Sequence, residues 1–185
     1  MKKTNKKEQK KEELVEDTKT VEIIVEVEVT QEQIDKCAVE TFKHVKKVQE
    51  YMNLFIKDLI NRSENHDNTK FEEPEKTGFA KHADKLSKIE YGSEEYKNNL
   101  EKLKPTIEHH YSKNRHHPEH WPDGIKDMVL SDLVEMLSDW CAATERNLHG
   151  NIRKSIEINA EKYKITPQLR QIFENTVREL LNLAD

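Results

Sequence analysis

Glycine, proline and cysteine are scarce in this chain, at four, five and two of 185 residues. Beside 36% charged and 34% hydrophobic residues, so few turn formers favour a helical protein with a modest core and a heavily solvated surface. The two cysteines, Cys37 and Cys141, lie far apart and form no CxxC pair. That argues against a disulfide framework or a thiolate zinc site and makes a reducing cytoplasm the expected setting. No apolar run approaches the roughly 20 residues needed to span a bilayer, and the lysine-rich start lacks the apolar core of a signal peptide. There is no surplus of positive charge either. With 31 basic and 36 acidic residues the net charge is −5, which gives no bias toward nucleic acid. No GxSxG occurs and neither cysteine has a base nearby in sequence, so nucleophilic Ser or Cys catalysis has little support.

What is present divides into three parts. Residues 1–19 are expected to be a disordered charged tail, in which glutamates dilute the lysines. Residues 20–29 form a candidate β-strand arm, because β-branched residues alternate with glutamate from Val21 to Val29. No second strand is legible, so this one either pairs with its copy in a homodimer through residues 21–29 or stays unformed. Residues 30–185 read as an all-α domain.

Thr30 and Gln33 make a capping box that opens a helix over residues 30–61. Its apolar positions, among them Ile34, Val45, Val48, Met52 and Ile56, recur at spacings of three and four and are expected to be buried. His44 falls roughly 70° from the centre of that stripe, where a side chain leans into a cleft. A polar run over residues 61–65 then leads as a turn into His66-Asp67.

Pro74 and its acidic neighbours predict a helix carrying Phe79, Ala83, Leu86 and Ile89, with His82 packed near the apolar face and Gly92-Ser93 ending it. In the next helix Tyr96, Leu100, Leu103, Ile107 and His110 form a ladder that Pro105 is expected to kink or restart. His110, and not His109, continues the inward stripe. After a loop over residues 114–124, a helix over residues 125–147 should bury Leu130, Leu133, Leu137 and Trp140. Asp132, Glu135 and Asp139 share another stripe on it, ordinarily a wet face. Two more helices close the bundle, the last with Thr166 as cap and Pro167 at its first position.

Five of the nine histidines fall between His109 and His120. A divalent metal of hard or borderline character takes imidazole nitrogens and carboxylate oxygens gathered from several rigid elements. His44, His66, Asp67, His110, His116, His117 and Asp139 supply such a set, for one or two ions of Mn, Fe, Mg, Co or Zn. Asp67 is the candidate bridging carboxylate. Lys70, about one helical turn further on, and Arg115 are candidate cations for a phosphate oxygen. For His82, His109, His120 and His149 packing and hydrogen bonding are the better reading.

The order His, His-Asp-x-x-Lys, His-His, Asp resembles the HD superfamily of metal-dependent phosphohydrolases. The segments HDxxKF, HHxxxNxHHPEHW and EMxxDWxAAxxR together look more closely like an uncharacterised domain family of bacteria and their phages. The resemblance implies an all-α HD-type helical bundle. In it His44, His66, Asp67 and Asp139 would hold a first metal, and His110, His116 and His117 a second. Lys70 and Asp67 would carry the chemistry, with Asp132 a rival to Asp139. The expected function is hydrolysis of a nucleotide-like phosphate ester by metal-activated water, with no membrane or nucleic-acid partner. Two other readings stay open: a di-iron oxygenase on the same scaffold, and a non-catalytic helical interaction protein, phage-encoded in one version, with a structural or vestigial metal.

Overall fold

In a computed structural model of the chain, residues 29–86, 94–146 and 150–181 are described. The expected tail, nearly all of the expected strand, Ile89, the Gly92-Ser93 cap and His149 lie outside these residues. The described chain is all-α, with no strand. Its six helices are α1 (Gln31–Asn65), α2 (Glu75–Leu86), α3 (Glu94–Lys113), α4 (Leu130–Glu145), α5 (Ile152–Lys162) and α6 (Pro167–Glu179). Short 3-10 turns occupy Asn68–Phe71, Pro118–His120 and Gly124–Asp127. No helix among the described residues is long and apolar enough to cross a membrane.

The chain divides into two compact units, residues 1–46 and 47–185, and α1 runs through the boundary. The capping box forms at its start: Thr30 N–H donates to Gln33 Oε1 at 2.8 Å, and Gln33 N–H donates to Thr30 Oγ1 at 3.3 Å. The buried face expected of this helix is corrected by the structure. None of its 35 residues is buried, and Ile34, Val45, Val48, Met52 and Ile56 are all exposed. A helical period shows that one face is apolar, not that this chain covers it.

The second unit has its core in α4, α5 and α6. Met136, Leu137, Trp140, Cys141, Ile156 and Phe173 are buried together there, with Leu133, Tyr163 and Leu169 packed around them. Asn151 and Thr166 cap α5 and α6 by accepting the backbone N–H groups of Lys154 and Leu169. The helix expected from residue 125 begins at Leu130 instead. Asp132 stops its first turn from fraying, because Oδ2 accepts Val129 N–H at 2.9 Å.

Helices α2 and α3 pack on each other closely. A Cβ placed on Gly78 would lie 2.2 Å from Thr106 Oγ1, so only glycine admits this approach. Helix α3 continues through Pro105 as one helix, which excludes the restart expected as one of two outcomes there. Of its expected inward ladder, Leu103 and His110 are buried and Ile107 is half-buried, while the side chains of Tyr96 and Leu100 lie outside the described residues.

Candidate metal centre

Helix α1 carries its last turn to Asn65 and stops because Asp67 turns left-handed, with φ 55°. That conformation is costly for most L residues, and Asp is among the few that tolerate it. The turn places His66 and Asp67 side by side at the helix end. The following 3-10 turn returns Lys70, whose Nζ donates to Asp67 Oδ2 at 2.5 Å.

Three further histidines arrive from α3 and the loop after it. Asn114 ends α3 and fastens that loop: its Nδ2 donates to His110 O at 2.8 Å and to Thr69 Oγ1 at 2.9 Å. Asp67 Oδ1 then lies 3.3 Å from His110 Nε2 and 3.6 Å from His116 Nε2. The Nε2 atoms of His110 and His117 are 3.0 Å apart. Helix α4 closes the other side. His66 Nε2 is 3.6 Å from Asp67 Oδ2 and 3.8 Å from Asp139 Oδ1.

Two outer carboxylates decide how the rings face. Fully buried Glu75, in the first turn of α2, meets His110 Nδ1 at 2.8 Å through Oε2 and His109 Nδ1 at 2.9 Å through Oε1. Thr69 Oγ1 also donates to its Oε2 at 2.8 Å. Glu135 Oε1 meets His66 Nδ1 at 2.9 Å and His116 Nδ1 at 3.2 Å, while its Oε2 accepts from Arg62 at 3.1 Å. An imidazole whose Nδ1–H donates to a carboxylate keeps its lone pair on Nε2, the arrangement found behind metal-bound histidines.

Charge follows from the same contacts. Burial favours neutral Asp67, Glu135 and Asp139, but the Lys70 ammonium at Asp67, the His116 and His66 rings at Glu135, and His66 at Asp139 outweigh it and hold all three carboxyls low. His66 is raised to about 10, first by Asp139 and then by Glu135. His110 is lowered by burial against the pull of Glu75, and His117 is lowered to about 4 by burial and by its neighbours His116 and His110.

Ligand atoms within 4.8 Å of one another form three sets: Asp67 with His110, His116 and His117; His66 with Asp67 and Asp139; and His66 with His116 and Glu135. This cluster could bind a metal ion, and one local observation fits an ion well. Asp67 Oδ1 and His116 Nε2 are buried without any hydrogen-bond partner, although they face each other. A lone pair and an anionic oxygen in that position repel unless positive charge lies between them.

Six of the seven expected ligands are thus brought together, and His44 is not among them. It is exposed on α1, belongs to no ligand set, and has no covered apolar stripe to flank. Arg115 is committed elsewhere: Nε and Nη2 each approach Asp132 at 3.2 Å, and its guanidinium stacks 4.5 Å from the Trp121 ring. Asp132 is saturated by Arg62, Arg115 and Val129 N–H, which leaves Asp139 as the α4 aspartate in the cluster. Glu135 and Glu75 were missed. The acidic stripe signalled Glu135, whereas nothing local distinguished Glu75 from any first-turn acid.

A family model described as a family of unknown function (DUF5662) matches residues 33–179, and the chain belongs to that family. No curated protein and no solved structure matches it.

Proposed function

We propose that this member of DUF5662 is a metal-dependent phosphohydrolase acting on a nucleotide-like phosphate ester. The observation that carries the reading is Asp67 itself. One carboxylate oxygen is orphaned among imidazole Nε2 atoms and the other is held by the Lys70 ammonium. Asp67, His110, His116 and His117 would hold one divalent ion, and His66 and Asp139 would complete a second position sharing Asp67. When bound, such an ion supplies Lewis acidity at a phosphoryl oxygen and a water of lowered pKa.

The chain's own groups do the rest. Glu75 and Glu135 fix the rings from behind, so the donor set is organised before ligand arrives. Lys70, His66 and Asp139 form the accessible rim, with side chains 37%, 31% and 26% exposed. Lys70 stands on that rim beside Asp67, and its ammonium would balance charge that grows on a phosphate oxygen bound there. That fixed cation beside the donor set favours phosphate ester chemistry over oxygen activation. Free Cys37 and Cys141 suit work in a reducing cytoplasm.

Metal content of purified protein, wild type beside Asp67→Ala, is the test. Bound Mn, Fe, Co or Zn that is lost in the variant, together with turnover in a nucleotide screen, is the expected result. Lys70→Ala should keep the metal and lower kcat/KM by about 100-fold or more. No metal in either protein after reloading would overturn the reading.

A further inference from the structure

Helix α1 spans about 52 Å and buries none of its residues. Its two faces differ in character. The outer one is mostly charged, laced along the helix by well-exposed Lys36–Glu32, Lys43–Glu40 and Lys47–Glu50 pairs, with Val39, Leu54 and Ile60 as scattered apolar positions. On the opposite face Ile34, Ala38, Thr41, Val45, Val48, Met52, Phe55 and Leu59 follow alternating steps of four and three. That is the 3.5-residue repeat of a helix seam packed against another helix, sustained for nearly four heptads.

We propose that this seam pairs with the same seam of a second copy of the chain, antiparallel, about an axis between residues 46 and 47. The side-chain sizes select both partner and direction. In an antiparallel pair each layer sets one seam class against the other. Ala38 then opposes Phe55, Thr41 opposes Met52, Val45 opposes Val48 and Ile34 opposes Leu59, each with the residue of the other copy. Every small residue meets a large one, as knobs filling holes require. A parallel pair would stack Ala38 on Ala38 and Phe55 on Phe55, leaving a void in one layer and a clash in the other. On the flanks, His44 would face Tyr51 and Phe42 would face Gln49, so no like charges are opposed.

The area is sufficient. The large apolar side chains of seam and flank, Ile34, Phe42, Val45, Val48, Tyr51, Met52, Phe55 and Ile56, stand 41–62% exposed. Covering them on both copies removes roughly 1,000–1,400 Å² from water, the scale of a stable interface.

Sedimentation of the full chain over about 1–100 µM should give twice the chain mass. Val45→Glu/Val48→Glu should weaken association by at least about 100-fold, because it would bury unpaired charge at the axis. Both positions are exposed within one copy, so helical circular dichroism should be retained. Direction is read by cross-linking in a Cys37→Ser background. Ala38→Cys mixed with Phe55→Cys should give a covalent dimer on oxidation, and neither variant alone should. A wild-type monomer throughout that range, or a dimer unaffected by the two glutamates, overturns the pairing and leaves the face to a different protein. Self-linking of either single variant overturns the antiparallel direction.

Discussion

Glu75 meets His110 Nδ1 at 2.8 Å from a position with no solvent exposure, and that contact decides which nitrogen of His110 is left to face Asp67. Replacing the carboxylate should therefore act on metal binding from outside the donor set. Glu75→Gln is expected to weaken metal affinity by about 10–100-fold while helix content holds. A chelator competition series checks it. Affinity within twofold of wild type would show that His110 is oriented by something else.

His44 and His116 make a second, opposed pair of outcomes. His44→Ala should leave metal content unchanged, because the side chain is exposed and belongs to no ligand set. His116→Ala should remove bound metal, since its ring belongs to two of the three sets. Elemental analysis of both variants decides the matter.

The charge on His66 sets a pH dependence. Asp139 and Glu135 raise its pKa from 6.5 to about 10, so the metal-free protein carries a proton there at pH 7. Metal uptake must displace that proton, and apparent affinity should fall about tenfold per unit as pH drops below 10. Calorimetry in buffers of different ionisation enthalpy should record about one proton released. For the metal-free fold the sign is opposite. A raised pKa gives stability that is complete below 6.5 and is lost as pH rises through about 10, so its melting temperature should decline on the alkaline side.

Gly78→Ala tests the seating of α2. Alanine is the better helix former by about 1 kcal/mol, yet its Cβ would sit 2.2 Å from Thr106 Oγ1. The clash should win, with a net loss of about 1–3 kcal/mol in denaturant unfolding. Adding Thr106→Ala removes the nearest atoms and should recover part of that loss.

Much of this centre was legible along the chain. His66-Asp67 and His116-His117 stand out because adjacent donors are rarely needed for packing alone. His110 was found by the ladder it continues, since burial in α3 follows from period. Glu135 lies on an acidic stripe that local pattern cannot tell from a wet face. Only the arrival of His66 and His116 makes it a partner. Glu75 was invisible because an acid in a first helical turn already suits the helix dipole, and its burial comes from α3. His44 stands outside the three ligand sets, and the pattern that pointed to it has a related limit. The α1 stripe is real, but its cover is not supplied by the described residues.

The left-handed backbone at Asp67 carries a consequence for engineering. Position 67 answers to two unrelated filters: conformation admits chiefly Gly, Asn and Asp, and charge then admits Asp alone. Grafting the five side chains around it onto another helical scaffold would fail unless the host supplied the same reversal of chain direction. A library randomised at this codon should collapse to one residue under selection for function and widen to three under selection for folding.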